Sequence, residues 1–255
     1  MPFAERKTPQ YGGEMETSAA EIIEQLRAQS SKDPFDVAEK RMVPAETVIG
    51  VSTRDIRALA KQTAKDRKLA EELWSSVFIE AKALAILLLS PKLVDETLIE
   101  AWVTEINDWS TCDLFVKVIM AGRSDAISWG EKWASDPRLY TKRAGLSLIA
   151  NYCMRAETFS DNVSTSIIST IRQSAPDDRD HVRQASCWAL REFGKNNTDS
   201  HEQACILALE LIESGHAEMA WVGRCAYREL EDLIKVPERR RLISRKSKTG
   251  MKYAN

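Results

Sequence analysis

Several features that this chain lacks narrow its class at once. Among its 255 residues there are only ten glycines, no Asn-Gly or Asp-Gly turn and no sustained apolar/polar alternation, so β-hairpins have little to be built from. The longest apolar run, Ala83 to Leu89, falls far short of the roughly 20 residues that a membrane-spanning helix needs. With no charged-then-apolar leader either, the expectation is a cytoplasmic protein with no membrane partner. There is no CxxC motif. The five cysteines (Cys112, Cys153, Cys187, Cys205 and Cys225) are scattered through helical patterns and are expected to be reduced, acting as small buried hydrophobes. The three histidines, His181, His201 and His216, stand at helix starts without partners at ligand spacing, so surface or capping roles are expected, with no metal and no cofactor. A net charge of -2 gives no global attraction to nucleic acid, and DNA binding would have to rest on local patterning.

Helical periodicity is what the chain has in abundance. An apolar fraction of 44% beside 29% charged residues is ample for a core. Residues 1–16, with Pro2, Pro9, Gly12 and Gly13, read as a flexible leader, and Thr17 is expected to cap the first helix. Pro34 suits a first helical turn, Ser52-Thr53-Arg54-Asp55 starts a clear helix, and Asp66 starts a short one through Trp74. Helices then follow at about 79–90, 94–106, 110–121, 124–135, 138–154, 159–174, 179–195, 200–214 and 217–234, joined by short polar links. Two helices per roughly 40 residues is the period of HEAT and armadillo arrays. The predicted fold is therefore all-α: a superhelical stack of HEAT-like antiparallel helical hairpins, an α-solenoid, forming a single domain over 17–235. One row of helices would line a concave face able to hold a long ligand. Residues 236–255 are assigned to a basic C-terminal tail. From Lys235 to Lys252 eight basic residues face one acid, Glu238, a pattern that fits either a phosphate-contacting segment or a solvated one.

Two stretches stand out for chemistry. In Asn107-Asp108-Trp109-Ser110-Thr111-Cys112-Asp113-Leu114, Asp108 can cap a helix, and Trp109 and Asp113, four apart, project from one face one turn apart. Taken alone, such a pair is more often a core anchor beside a surface charge than an active site. The segment Val182 to Lys195 reads as a basic, aromatic-bearing inner helix, and Arg143 to Ala150 has small residues where a neighbouring helix would pack closely.

Five segments in order, Gly50 to Lys61, Asp108 to Asp113, Lys142 to Gly145, Trp188 to Lys195 and Arg228 to Leu230, resemble the AlkD-like family of DNA alkylation repair enzymes, the HEAT-like repeat DNA glycosylases, over about residues 18–234. The resemblance implies that Asp113 is the catalytic carboxylate, that Trp109 and Trp188 flank the lesion, and that Arg143 is a backbone-contacting base of the same cleft. It further implies DNA contacts from Arg143, Arg191, Lys195 and Arg224, no cofactor and no metal, and action on double-stranded DNA that contains alkylated purines; a monomer is the default for a capped solenoid with no evident apolar seam left over. Trp74, Trp102, Trp129, Trp133 and Trp221 inherit no role and are expected to be core or hairpin anchors. The resemblance departs at Val43 to Gly50, where family members often carry an aromatic residue and this chain has none. The function it implies is hydrolysis of the N-glycosidic bond of cationic N3- or N7-alkylated purines, without deep base flipping. The alternatives are a non-catalytic duplex-DNA-binding relative and a protein-interaction scaffold.

Overall fold

The computed structural model describes residues 18–253, and both the leader at 1–16 and Thr17 lie outside them. Thirteen α-helices make up the described chain: α1 (Ala19–Ala28), α2 (Pro34–Arg41), α3 (Thr53–Gln62), α4 (Arg67–Trp74), α5 (Ile79–Leu88), α6 (Glu96–Glu105), α7 (Trp109–Phe115), α8 (Ala126–Ala134), α9 (Leu139–Arg155), α10 (Asp161–Ser174), α11 (Asp180–Gly194), α12 (Thr198–Glu213) and α13 (Ala217–Leu230). The caps follow the sequence. Ser18 and Glu21 form a reciprocal capping box on α1, Asp33 caps the proline-initiated α2, and Ser52 and Asp66 accept backbone N–H groups at the starts of α3 and α4.

The helices stack in two rows. One row runs α3, α5, α7, α9, α11, α13, each packed on the next, while α8, α10 and α12 form the other row and pair with α9, α11 and α13 as hairpins. This is the α-solenoid expected from the repeat period. One apolar core runs from Ile22 to Leu148 and a second from Ile149 to Leu242, so α9 contributes to both and ties the halves together.

Specific polar contacts set the geometry of the stack. Asp136 accepts the backbone N–H and the guanidinium of Arg138 at 2.8 and 2.6–2.9 Å, closing the turn that leads into α9. One repeat later Asp177 does the same for Arg179 ahead of α11 and also takes a bond from Lys142 Nζ at 3.1 Å. Arg179 then donates to the Pro137 carbonyl at 2.8 Å, locking the two corners together. In the N-terminal half the carboxylate of Glu80, fully buried, accepts the backbone N–H of Ile49 at 3.1 Å and of Gly50 at 3.0 Å. Gly50 has φ +92, and a Cβ there would meet the Lys32 carbonyl oxygen at 2.3 Å, so this loop admits only glycine.

Two differences from the sequence reading concern the ends of helices. The expected helix 110–121 is α7 followed by a wide π turn at Val116–Met120, with Ala121 N–H bonded to the Val116 carbonyl at 2.8 Å. The last helix stops at Leu230 instead of continuing to 234, because Leu233–Ile234 pairs antiparallel with Ile243–Ser244 in a two-stranded ribbon. That ribbon returns the basic segment to the body. Val236 and Leu242 are buried, Leu242 N–H bonds the Lys195 carbonyl at 2.9 Å, and Arg240 and Arg241 reach the Ala156 carbonyl and the Glu192 carboxylate.

The cysteine expectation is corrected. Cys187 of α11 and Cys225 of α13 are joined as a disulfide, with Cα atoms 6.2 Å apart and a sequence separation of 38, while Cys112, Cys153 and Cys205 are free. The separation is close to one repeat, which puts equivalent faces of neighbouring helices together, a relation that local spacing does not reveal.

Replacing Glu80 by Ala strands two buried N–H groups, each costing about 1–3 kcal/mol. A loss of about 2–4 kcal/mol in urea denaturation is expected, and a loss below about 1 kcal/mol would mean that the loop finds other partners. The Arg179 guanidinium beside Asp177 holds its carboxyl down at about 2, against 3.8 for the free group. A depressed carboxyl stabilises the fold above pH 3.8 and ceases to do so as pH falls toward 2. The stability gap between wild type and Asp177→Asn should be on the order of 2 kcal/mol and flat above pH 5, shrinking below pH 4. A gap that stays constant down to pH 3 would count against this role.

Candidate DNA-facing active site

The site forms where α7 meets α9. Asp108, fully buried, caps α7 by accepting the N–H groups of Ser110 and Thr111 at 2.9 and 3.0 Å. That cap fixes the first two turns, so Trp109 and Asp113 lie on one face, as their spacing predicts. Trp109 is 37% exposed, unusual for a residue of its size in a helix start.

Asp113 is gripped from α9. The Arg143 guanidinium binds it side-on, Nε to Oδ1 at 3.2 Å and Nη2 to Oδ2 at 2.8 Å, and Ser147 Oγ donates to Oδ1 at 3.1 Å. Arg143 and Ser147 are one turn apart on the face of α9 toward α7. Gly145, about 200° around the helix, faces the other way. A Cβ at Gly145 would lie 2.3 Å from the Ala134 backbone nitrogen, so the glycine lets α8 approach and thereby sets how close α9 brings its guanidinium to α7. The small-residue stretch expected to pack closely does so here.

The Arg143 side chain is 8% exposed against 29% for Asp113, and its Nη1 donates to the His181 carbonyl at 3.0 Å. Arg143 is thus buried and engaged on three sides within the chain. Its position suits holding and orienting the carboxylate, with little reach left for a phosphate. Asp113 keeps an open side, facing a cleft of about 210 Å³. The cleft is rimmed by Trp109, Asp113 and three cations, Arg41 of α2, Arg57 of α3 and Lys117 of the π turn, over an apolar floor that includes Ile56 and Leu87.

The other sequence-predicted residues lie further along the same row and do not line this cleft. Trp188 on α11 is partly buried against the second core. Arg191 is paired with Glu229 at 2.9 Å, and Lys195 with both Glu229 and Glu192, so these two cations are largely neutralised within the chain. Arg224 on α13 is exposed, with no ion pair among the described residues. Trp221 corrects an expectation. Trp74, Trp102, Trp129 and Trp133 are buried anchors, whereas Trp221 is 37% exposed with the Arg183 guanidinium over its ring at 5.3 Å.

His181 is also corrected. It is buried at the start of α11, its ring is 5.5 Å from that of Tyr140, and neither ring nitrogen has a hydrogen-bond partner. Burial, reinforced by the nearby Arg143, holds its pKa below the ordinary histidine value, so it is neutral at pH 7. The Cys112 thiol, beneath the site, is pushed well up by burial and is no nucleophile. Among the described residues no group of His, Cys, Asp and Glu could hold a metal ion.

Sequence reasoning missed Ser147, Arg41, Arg57 and Lys117. Ser147 had a readable signal, its placement four residues after Arg143. The three cations had none, because only the tertiary packing of α2, α3 and the π turn converges on Trp109.

Two stacked rows of short helices with a clamped carboxylate and exposed tryptophan on one row define a HEAT-like helical repeat protein. The chain belongs to the DNA alkylation repair enzyme family, whose model matches residues 22–229. No curated protein matches it. Among solved structures, a member of "a new family of proteins related to the HEAT-like repeat DNA glycosylases with affinity for branched DNA structures" superposes with a TM-score of 0.68 at 20% identity, covering 76% of this chain and 83% of that one. An engineered protein aligns with a TM-score of only 0.35 at 14% identity, covering 69% of this chain and 90% of its own.

The burial of Arg143 against a partly open Asp113 makes a prediction. Removing one partner of such a pair leaves an uncompensated charge and costs about 3–5 kcal/mol, whereas replacing both by apolar groups is often near neutral. Asp113→Ala should lose about 3 kcal/mol by urea denaturation, and the double variant Asp113→Ala with Arg143→Met should recover at least half of it. A double variant no more stable than the single would show that the clamp is not what holds α9 to α7.

Proposed function

We propose that the protein is a DNA glycosylase that hydrolyses the N-glycosidic bond of cationic N3- or N7-alkylated purines in duplex DNA. The observation that carries this reading is Asp113: a carboxylate fixed by Arg143 and Ser147, open on one side to a cation-rimmed cleft beside an exposed Trp109. An alkylated purine with a formal positive charge is already a good leaving group and needs no general acid, which fits a site whose buried His181 is neutral. As the C1′–N bond lengthens, its electron pair leaves with the purine and positive charge moves onto the deoxyribose. Water then adds to C1′ and releases one proton, giving an abasic sugar and the free base. A carboxylate aimed at C1′ gains attraction along this path, so it stabilises the transition state more than the ground state.

The cleft volume of about 210 Å³ lies below the roughly 300–1,000 Å³ of pockets that engulf a ligand. It accommodates a sugar edge against Trp109 more readily than a fully extruded nucleotide, in line with excision without deep base flipping. The related structure's stated affinity for branched DNA leaves a DNA-binding relative without excision as the second reading.

Two unit charges about 4 Å apart interact by roughly 4 kcal/mol at an effective dielectric of 20, and only the part that grows toward the transition state lowers the barrier. Asp113→Asn, which keeps an acceptor for Arg143, should therefore reduce release of N7-methylguanine from duplex DNA by about 10²–10³-fold, at about 1.4 kcal/mol per tenfold. Free base followed by chromatography is the measurement. Release that is unchanged in the variant would remove Asp113 from the mechanism, and no release from wild type with DNA binding retained would favour the second reading.

A further inference from the structure

Much of the positive charge on the later helices of the row is tied up within the chain. Arg191, Lys195 and Arg241 are tied to Glu192 and Glu229, Lys142 and Arg179 to Asp177, and Arg240 to main-chain carbonyls. On α3 the situation is reversed. Arg54, Arg57 and Lys61 recur at i, i+3 and i+7 on one exposed face, and Lys65 follows just beyond the helix. None of the four has a carboxylate within ion-pair distance among the described residues; the acids adjacent in sequence, Asp55 and Asp66, are engaged by the Ser52 hydroxyl at 2.5 Å and by the Lys68 backbone N–H at 2.8 Å.

This face borders a second cleft, of about 450 Å³, lined by Arg57, Ala60, Lys61, Thr63, Lys65 and Leu87. Arg57 and Leu87 also line the cleft at Asp113, so the two clefts adjoin, and together they form the trough between the carboxylate and Lys65. Its make-up is a rim of unpaired cations over a floor of Ala60 and Leu87. A sugar-phosphate backbone has the complementary make-up, anionic oxygens on one side and the apolar edge of deoxyribose on the other. Because the clefts adjoin at Arg57, a strand whose sugar stood against Asp113 would pass Arg57 to enter the second cleft.

Building on the glycosylase reading, we infer that the trough along α3 binds the backbone of the damaged strand on one side of the lesion, with Arg57, Lys61 and Lys65 as its phosphate contacts. These three residues concentrate positive field beside the carboxylate in a chain whose net charge is -2. Their contribution does not depend on base identity or damage, since phosphate contacts fix register and orientation without reading sequence.

The test is the salt dependence of binding to undamaged fluorescent duplex DNA, by anisotropy between 50 and 200 mM NaCl. For duplex DNA each phosphate neutralised contributes about 0.9 to the slope of log K against log salt. The variant carrying Arg57→Gln, Lys61→Gln and Lys65→Gln changes only exposed positions, so folding should be retained. Its slope should be shallower than wild type by about 2 to 3. A control carrying Lys92→Gln, Lys132→Gln and Arg172→Gln removes the same charge from outside the trough and should change the slope by less than about 1. A trough variant with the slope of the wild type, or no different from the control, overturns the inference. Because the readout is binding to intact DNA, a wild type that binds steeply but releases no base sinks the glycosylase reading and leaves the trough supported if the variant's slope falls. A wild type that excises, with an unchanged slope in the variant, does the reverse, and a wild type that does not bind DNA at all overturns both.

Discussion

A guanidinium taken out of water must be given a carboxylate, and the placement of this one governs the middle of the molecule. Arg143 projects from α9 where that helix serves both apolar cores, and its partner Asp113 stands on α7, at the rim of a solvent-facing cleft. The two charges are unequally buried. The arginine is enclosed and bonded to His181 behind it, so it cannot follow solvent or substrate, while the aspartate is partly open. A rigid cation behind a partly open anion holds the carboxylate pointed in one direction, a fixed orientation of the kind that the proposed reaction would use.

Neighbouring features make sense as supports for that pair. Gly145 lets α8 and α9 come together, setting the height of the guanidinium, and Asp108 caps α7 so that its short helix presents Trp109 and Asp113 in register. The π turn after α7 widens the helix by one residue, and it is from this widened segment that Lys117 reaches the cleft. Behind these, the Asp136/Arg138 and Asp177/Arg179 corners repeat one local solution at the entry to consecutive helices of the row. The bond from Arg179 to the Pro137 carbonyl makes the two corners a single unit. The site is therefore carried by regular helices held by repeat contacts, not by loops.

How much of this could be read from the chain depended on the range of each interaction. Helix positions, the Ser52, Asp66 and Asp108 caps, and the shared face of Trp109 and Asp113 were legible because each is decided within a turn or two. The burial of Glu80 was not: its partners, Ile49 and Gly50, lie 31 and 30 residues away, and a Glu beside an apolar run reads as a surface charge. The same holds for Arg191 and Lys195, which look like free cations until Glu229 arrives from α13. Cys187 and Cys225 are paired by the repeat itself, and Trp221 is exposed because Arg183 offers its ring a cation where an anchor would need a core. A propensity for helix survives without tertiary context, whereas the availability of a charge does not.

The basic C-terminal segment carries the consequence for function. By composition it is the strongest anion-binding signal in the sequence, yet Arg240 donates to the Met154 carbonyl at 2.9 Å near the end of α9 and Arg241 binds Glu192 at 2.5 Å on α11. Glu192 would be pushed up by its burial, but Arg241 and Lys195 together hold its carboxyl below the usual range, so that corner is a closed ionic cluster. Cations satisfied in this way stiffen the last repeats and contribute little field to a distant phosphate, since each is offset by an anion a few ångströms away. The local field is set by the cations left without an ion pair among the described residues: Arg239, Arg245, Lys248 and Lys252 scattered along this segment, and Arg57, Lys61 and Lys65 in a row beside the Asp113 cleft. Pairing, more than the count of basic residues, decides which surface of such a protein a polyanion would meet first.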